Sequence, residues 1–245
     1  MADELRTLSK MIDESEKIVF FGGAGVSTES GIPDFRSEQG IYNTVHTFGC
    51  SPEEILSHTY FMRDPEKFFE FYRTTMVYQD AKPNAAHRAL AALEDAGKLT
   101  AVVTQNIDGL HQAAGSRCVY ELHGSIHRNY CMKCGKSFSL EAVMNAEGVP
   151  HCDHCGGIIK PDVVLYEESL DSTVISKSIE AIQNADMLIV GGTSLNVYPA
   201  ASFVRYYQGE RLVLINKSET PYDQYANLLI HDSIGKVLGS VVDGE

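Results

Sequence analysis

The chain has 245 residues, enough to bury a large core as one α/β domain with an insertion or as two unequal domains. Hydrophobic residues make up 44% and charged residues 22%, an ordinary globular balance, so disorder is not indicated. The net charge of −13 argues against nucleic acid as a partner, because such affinity rests mainly on neutralising phosphates. No apolar run approaches the roughly 18 residues of a membrane span, and the polar N-terminal segment lacks signal-peptide features. We therefore expect a cytoplasmic protein without a membrane partner.

Two elements are predicted before the first glycine-rich turn. Residues from about 5 to 16 have the spacing of an amphipathic helix, and its core face would comprise Leu5, Leu8 and Ile12. The apolar run 18–21 is rich in β-branched and aromatic residues, so it predicts a short buried strand that ends where glycine begins.

The turn after this strand is suited to phosphate. Gly23 and Gly25 allow positive φ and let a ligand approach the backbone. Ser27 and Thr28 can cap or open a short helix whose free N–H groups would face an anion, and Pro33 would stop it. A generic α/β turn with chance polar residues is the alternative interpretation.

The turn departs from the dinucleotide fingerprint G-x-G-x-x-G. Counted from Gly23, the third glycine position holds Thr28. This argues against an ordinary nicotinamide dehydrogenase, in which that glycine packs helix against strand. The chain continues into a loop with a carboxylate, an aromatic ring and a guanidinium, from Asp34, Phe35 and Arg36. We interpret the loop as a lid over a ligand.

Helices are predicted over residues 51–80 and about 86–96. We expect the aromatic residues of the first segment to form the core of a helical insertion rather than a ligand site. They are Phe61, Phe68, Phe69, Phe71 and Tyr72. The second helix would bury Ala86, Leu90 and Leu93.

Two further strands deliver polar residues where open α/β sheets bind ligands. The apolar run 99–103 precedes the segment TQNIDGLH, whose polar side chains can contact a sugar or an amide. These side chains are Gln105, Asn106 and Asp108. A strand over 119–122 ends at His123, which can act as a base near neutral pH, although a partly buried structural histidine is the alternative.

Two C-x-x-C pairs predict a zinc site. Cys131 and Cys134 are separated from Cys152 and Cys155 by 17 residues, 135–151, within the range for a four-thiolate site. A redox dithiol or disulfides are the alternatives, and His151 or His154 could substitute as a ligand. Four cysteines already complete the zinc shell and leave no position for substrate, so we expect one structural zinc ion.

The order of elements predicts an α/β fold with a doubly wound parallel, Rossmann-like sheet. The expected strands are 18–21, 100–103, 119–122, 162–165, 187–190 and 212–215. The Rossmann-like domain would comprise 1–43, 84–123 and 159–245. A smaller domain would combine the helical insertion, 44–83, with a zinc ribbon, 124–158, and the ligand cleft should lie between the two.

In order and spacing these motifs resemble those of the sirtuins, the NAD-dependent protein lysine deacylases, in their bacterial form. The resemblance rests on the glycine turn through Arg36, the TQNIDGLH segment, His123 with Gly124, and the paired C-x-x-C motifs. It spans Ile18 to Ile234, and the segments KPDVV, GTS and NKS, at 160–164, 192–194 and 216–218, agree with it.

The resemblance implies that NAD binds in an extended form as a co-substrate. The implied phosphate-side residues are Gly23, Ala24, Gly25 and Thr28, with Phe35 and Arg36 over the ribose and nicotinamide side. Gln105 and Asn106 would address the adjoining ribose, while Ile107 and Asp108 would hold the nicotinamide carboxamide. The implied adenosine-side residues are Gly192, Thr193, Ser194, Asn216, Lys217 and Ile234.

The same resemblance implies protein lysine deacetylation or deacylation, with His123 and Asn106 as catalytic residues. His123 would take a proton from a ribose hydroxyl, which attacks the acyl carbon. The products would be free lysine, nicotinamide and O-acyl-ADP-ribose. A protein mono-ADP-ribosyltransferase and a non-catalytic NAD-binding scaffold are the alternatives, and the presence of His123 and Asn106 favours deacylation.

An acyl-lysine protein or peptide is expected to lie as a strand between 163–168 and 195–198. The implied substrate-binding residues are Val164, Tyr166, Glu167 and Glu168. Most sirtuins have Phe-Gly-Glu where this chain has Tyr166-Glu167-Glu168, and losing that glycine removes conformational freedom from the strand.

The sequence of the helical insertion predicts which acyl groups on lysine are preferred. Sirtuins that favour succinyl or malonyl groups carry Tyr-x-x-Arg there, whereas this chain has Tyr72 followed by Thr75 at the arginine position. Arg73 would point about 200° from that position on a helix. We therefore expect acetyl-lysine, and longer neutral acyl groups, to be preferred over succinyl-lysine.

Overall fold

A six-stranded parallel sheet forms the larger part of this computed structural model, which describes residues 2–34 and 37–242. Its strands are β1 (Ile18–Gly22), β2 (Leu99–Thr104), β3 (Val119–Glu121), β7 (Met187–Gly191), β8 (Leu212–Ile215) and β9 (Leu228–Ile230). They are arranged in the order β3-β2-β1-β7-β8-β9, and each neighbouring pair is parallel. The doubly wound parallel sheet expected from the sequence is confirmed.

Both faces of the sheet are covered, as a buried parallel sheet requires. Along β1, Ile18 and Phe20 pack into one hydrophobic cluster, while Val19 and Phe21 pack into another on the opposite face. The first cluster is closed by α1 (Ala2–Asp13), α6 (Ala85–Asp95) and α10 (Ile234–Val242). The second is closed by α9 (Ser172–Asn184) and the 3₁₀ segment Ala200–Tyr206.

The helical faces predicted from spacing are largely buried as expected. Leu8 and Ile12 on α1 are in the core, and Leu5 packs against it; Leu90 and Leu93 on α6 are also buried. The predicted bounds of these helices differ from the observed ones by three residues or fewer. Such an error at helix ends is ordinary, because frayed ends carry little hydrophobic signal.

A smaller module consists of an antiparallel sheet, in the order β5-β4-β6, and short helices. Its strands are β4 (Gly124–Cys131), β5 (Ser137–Phe138) and β6 (Ile159–Val163). The helices are α2 (Glu38–Phe48), α3 (Pro52–Ile55), α4 (His58–Arg63), α5 (Pro65–Phe71) and α8 (Leu140–Met144), with a π-helical turn over Tyr72–Met76. The remaining helix, α7 (Leu110–Ala113), follows β2.

The aromatic residues of the helical insertion form the core of this module, as predicted. They cluster with Ile126, Val143 and Ile159 from the antiparallel sheet and its neighbouring helix. Phe61, Phe68, Phe69, Phe71 and Tyr72 are each at most 1% exposed. The insertion and the cysteine-bearing segment therefore share one hydrophobic core.

Two details of the predicted sheet are wrong. The run near 162–165 is not a strand of the parallel sheet, because β6 ends at Val163 and pairs with β4 in the antiparallel sheet. The strand β9 was not predicted at all. Short apolar runs show that a segment is buried, but they do not reveal its partner strand, which depends on contacts distant in sequence.

The part of the chain that is described contains no helix with the length and apolar character needed to cross a membrane.

Candidate active site

The strand order reverses between β1 and β7, and the loops after these strands flank a crevice. Strands β2 and β3 lie on one side of this point and β8 and β9 on the other. Ligands of open α/β sheets bind at such a switch point, outside the carboxyl ends of the strands. A cleft of about 220 Å³ lies there.

The cleft is lined by both parts of the molecule. Ten of the predicted site residues line it: Ala24, Gln105, Asn106, Ile107, Asp108, His123, Val164, Tyr166, Glu167 and Glu168. The helical insertion contributes Leu56, Thr75, Met76 and Tyr78, and the loop after β7 contributes Val197, Tyr198 and Pro199. Phe35 and Arg36 lie outside the described residues.

The glycine turns after β1 and β7 meet backbone to backbone. The Gly25 N–H donates to the Gly192 carbonyl at 2.8 Å, and Gly192 has a φ of +59°. A Cβ added at Gly25 would lie 2.8 Å from the Gly192 Cα, closer than side chains approach. Glycine is therefore required on both sides of this contact, which joins the two loops at the switch point.

The local structure of the first turn differs from the prediction. Two 3₁₀ turns, Ala24–Val26 and Thr28–Ser30, replace the expected helix, and Ser27 provides no side-chain cap. The Ser27 hydroxyl instead donates to Asp108 Oδ2 at 2.6 Å. The Thr28 hydroxyl donates to the Gly25 carbonyl at 2.9 Å. The Ser27 hydroxyl bonds to a carboxylate distant in sequence instead of a nearby backbone N–H. The prediction that Ser27 caps a helix is therefore wrong.

Asn106 and Asp108 are held in a network that includes Ser27. Asn106 Nδ2 donates to the Gly23 carbonyl and to Ser27 Oγ, each at 3.0 Å. Asp108 Oδ1 also accepts from the Leu110 N–H at 2.9 Å. The sequence analysis considered Ser27 only as a cap and missed its contacts with Asn106 and Asp108. Its position within the glycine turn was the available signal, but its partners are about 80 residues away in the chain.

The environment of Asp108 disfavours its charged form. Burial raises the pKa of the carboxyl, while the hydrogen bonds from Ser27 and Leu110 oppose that rise. The carboxyl lines the cleft beside Asn106. It can therefore present both accepting and, when protonated, donating oxygen atoms to an amide ligand.

His123 has a defined tautomer. Its Nδ1 lies 2.9 Å from the Gln105 carbonyl oxygen, which can only accept, so Nδ1 carries the proton. In the neutral ring Nε2 is then the basic nitrogen. The His123 carbonyl also accepts from the Val164 N–H at 3.0 Å. The backbone of the cleft's histidine is thus tied to the predicted substrate segment.

The other predicted cofactor residues lie around the switch point but do not line this cleft. Gly23, Gly25 and Thr28 follow β1, while Gly192, Thr193 and Ser194 follow β7. Gln105 Nε2 donates to Thr193 Oγ1 at 3.0 Å and so connects the two sets. Asn216 and Lys217 follow β8 at the same edge of the sheet, and Ile234 begins α10.

Ile234 is almost wholly buried. The residue is 3% exposed, and its side chain packs against Gly191, where an added Cβ would lie 2.5 Å from Ile234 Cδ1.

Of the three residues that bear on acyl preference, Tyr72, Arg73 and Thr75, Thr75 alone lines the cleft. Arg73 instead donates to the carbonyls of Val143 and Gly148, at 3.0 and 2.7 Å, and so braces the smaller module. Tyr72 is 1% exposed, and its burial raises the pKa of the phenol.

The four predicted zinc ligands converge beside the hydrophobic core of the smaller module. Their sulfur atoms lie within 4.8 Å of one another, with Cys131 and Cys155 at 3.4 Å and Cys134 and Cys152 at 3.7 Å. Tetrahedral zinc with bonds of about 2.3 Å separates its sulfurs by about 3.8 Å, whereas a disulfide needs about 2.05 Å. The arrangement fits zinc.

Comparisons with known proteins agree with this geometry. The family model described as Sir2 family matches residues 23–199. A Clostridium acetobutylicum protein named NAD-dependent protein deacetylase is 64% identical over 243 residues, covering 99% of each chain.

Solved structures are similar over almost the whole chain. A Sir2 homologue in complex with NAD has a TM-score of 0.88 and 39% identity, covering 98% of this chain and 93% of its own. A Sir2 structure with a deacetylated p53 peptide and 3′-O-acetyl-ADP-ribose has a TM-score of 0.88 and 36% identity, covering 98% of each chain.

Proposed function

Since this chain belongs to the Sir2 family, we propose that it is an NAD-dependent protein lysine deacetylase. It transfers the acetyl group of a modified lysine to ADP-ribose and releases nicotinamide. One observation carries the proposal: the Asn106–Asp108 network, His123 and the segment 164–168 all line the same cleft. Relatives named NAD-dependent protein deacetylase support it.

The glycine cradle suits the pyrophosphate of NAD. The turn over 23–25 packs so closely against residues 192 and 193 that a Cβ at Gly23 would lie 2.9 Å from Thr193 Cβ. Backbone N–H groups of such turns bind phosphate without side chains. We assign Ala24 and Thr28 to the phosphates and Thr193, Ser194, Asn216, Lys217 and Ile234 to the adenosine half. Phe35 and Arg36 keep the ribose and nicotinamide role assigned to them.

The polar network provides the nicotinamide and ribose contacts. Asp108 and Ile107 would hold the carboxamide, and Gln105 and Asn106 the adjoining ribose. Bound NAD would supply the electrophilic anomeric carbon of its nicotinamide ribose. His123 takes the proton of a ribose hydroxyl at Nε2, and the Gln105 carbonyl stabilises the protonated ring through Nδ1.

The substrate is an acyl-lysine protein or peptide that lies along 164–168. Val164, Tyr166, Glu167 and Glu168 line the cleft and are assigned to it. The net charge of −13 favours basic peptide segments over nucleic acid. The cysteines are free thiols, and four of them are arranged to bind zinc. Free thiols are typical of the reducing cytoplasm and support a cytoplasmic location.

Turnover of an acetylated peptide tests the proposal. Purified protein should release nicotinamide from NAD in proportion to peptide deacetylated, with acetyl-ADP-ribose detected by mass spectrometry. ADP-ribose attached to protein, without loss of acetyl groups, would identify a transferase instead. No NAD consumption with several acetylated peptides would contradict both activities and favour a scaffold.

A further inference from the structure

Glu167 occupies a backbone conformation that favours glycine. Its φ is +75°, and Leu195 is the other non-glycine residue with positive φ in the part of the chain described here. A side chain with a Cβ is strained in this region of φ, and such strain persists only where surrounding contacts over-determine it. The position lies inside the cleft-lining segment 164–168.

The Glu167 side chain makes the contacts that offset this strain. Its Oε2 accepts from the Thr59 N–H at 2.9 Å and from the Thr59 hydroxyl at 2.7 Å. These two hydrogen bonds lower the pKa of the carboxyl, which stays ionised at neutral pH. The residue that introduces the strain therefore also provides an anchor.

The anchor joins the segment to the helical insertion. Beside it the Tyr166 N–H donates to the Leu56 carbonyl, and the His58 N–H donates to the Tyr166 carbonyl, each at 3.0 Å. Together these bonds form a short parallel bridge between Ser57 and Tyr166. The insertion thus supports one side of the segment.

The neighbouring carboxylate is held by different groups. Glu168 contacts His58 Nδ1 at 2.9 Å and Lys160 Nζ at 3.0 Å, and accepts from the Leu165 N–H at 2.9 Å. At the other end, the Val164 N–H donates to the His123 carbonyl. The positive φ of Glu167 is therefore supported by the bonds from its own carboxylate to Thr59, and not by the contacts of Glu168.

We propose that Glu167 and Thr59 form a clasp that positions the 164–168 segment to receive the acyl-lysine peptide. The inference rests on the proposed deacetylase function and assigns the pair a positioning role. Without the clasp the left-handed turn at Glu167 relaxes, and Val164 and Tyr166 shift in the cleft. The network around Ser27, Asn106 and Asp108 is held by its own bonds, so NAD binding is retained.

Steady-state kinetics of clasp variants test this role. Glu167→Ala should raise the KM for an acetylated peptide about tenfold, the effect of losing hydrogen bonds to a charged group, with the KM for NAD unchanged. Glu167→Gly should raise it less, because glycine adopts positive φ without strain. Thr59→Val should act in the same direction as Glu167→Ala, and the two changes combined should be non-additive.

Two controls separate the clasp from a general loss of threonine hydroxyls. Thr59→Ser keeps the hydroxyl and should restore the wild-type KM. Thr7→Val removes an exposed hydroxyl of α1 that donates to the Asp3 carbonyl at 2.8 Å, away from the cleft, and it should leave the peptide KM unchanged. An unchanged peptide KM in active Glu167→Ala, or an equal rise in the NAD KM, would overturn the proposal.

Hydrogen exchange keeps the clasp testable if the wild type fails to deacetylate peptides. That failure would refute the proposed function. The amides of Thr59 and of 164–168 should still exchange faster in Glu167→Ala than in the wild type or Thr7→Val. Equal exchange in all three proteins would then overturn the clasp itself.

Discussion

The tautomer of His123 decides what this residue can do. Because Nδ1 donates to the Gln105 carbonyl, the basic nitrogen is Nε2, and the carbonyl dipole stabilises the ring once it is protonated. Gln105 itself is fixed by its bond to Thr193. The base is thus oriented by residues that follow β2 and β7.

His123→Ala should abolish deacetylation while leaving exchange of free nicotinamide into NAD. The base acts after the nicotinamide bond is cleaved, and general bases contribute about 10²–10⁴-fold to rate. Labelled-nicotinamide exchange and peptide deacetylation should therefore diverge. If exchange disappeared in parallel although NAD still bound, His123 would have a different role.

Thr75 should determine discrimination against acidic acyl groups. It lines the cleft, whereas Arg73 is bound to the carbonyls of Val143 and Gly148. A buried carboxylate without a cationic partner costs several kcal/mol, so kcat/KM for succinyl-lysine should be at least about tenfold below that for acetyl-lysine. Matched acetylated, butyrylated and succinylated peptides measure this. Equal rates for acetyl and succinyl substrates would refute the assignment of Thr75.

At the level of elements, two similar cysteine turns build the metal site. Gly135 and Gly156, which follow the second cysteine of each pair, both have positive φ, near +70°. Their N–H groups donate to the Cys131 and Cys152 carbonyls at 2.9 Å. The two turns present their sulfurs to one point, next to the core shared by the antiparallel sheet and the insertion.

Cys152→Ser should lose zinc and unfold at lower temperature. Structural zinc contributes about 10–16 kcal/mol in small metal-dependent domains, so a fall in Tm of roughly 10 °C or more is expected. Metal analysis should give about one equivalent for the wild type and little for the variant. Cys118→Ser, outside the cluster, is the matched control. A metal-free Cys152→Ser protein with full stability would contradict a structural zinc.

At the scale of the whole molecule, one arginine spans the two sheets. Arg128 on β4 pairs with Glu121 of β3 at 2.6 Å and with Asp162 of β6 at 2.7 Å. The Glu121 side chain is only 8% exposed whereas that of Arg128 is 43% exposed, so the carboxylate of this pair is shielded from solvent and the guanidinium is not. Glu121 is two residues before His123, and the chain leaves the parallel sheet and enters the smaller module between β3 and β4.

A buried histidine pair should make global stability depend on pH. His87 on α6 and His111 on α7 have ring centroids 4.7 Å apart, and both are at most 1% exposed. Burial lowers the pKa of His87 to about 4 and that of His111 to about 3. The unfolded chain, with pKa near 6.5, binds more protons in this interval. Stability should therefore fall as the pH drops from about 6.5 towards 4.

His111→Leu should flatten this pH dependence. Neither ring nitrogen of His111 has a hydrogen-bond partner within the described residues, so an apolar replacement removes the titration without orphaning another group. Relative to the wild type, the variant should lose about 1–2 kcal/mol less stability between pH 7.5 and 5. Urea unfolding measures this, with exposed His46→Gln as the control. Equal losses in all three proteins would show that His111 does not titrate as assigned.

The sequence by itself determined the family, the parallel sheet and the four-cysteine site. Each depends on a local pattern: buried apolar runs before glycine turns, fixed C-x-x-C spacing, and polar residues at strand ends. The aromatic core of the insertion was also predictable, because clustered large apolar side chains must be buried somewhere.

Only the tertiary structure decided which sheet β6 joins, that Ser27 bonds Asp108 rather than capping a helix, and how Glu167 is tolerated. These outcomes arise from partners 28 to 108 residues away in sequence. Local propensity does not encode such pairings, since each polar group takes the best partner that the completed fold brings within hydrogen-bond distance.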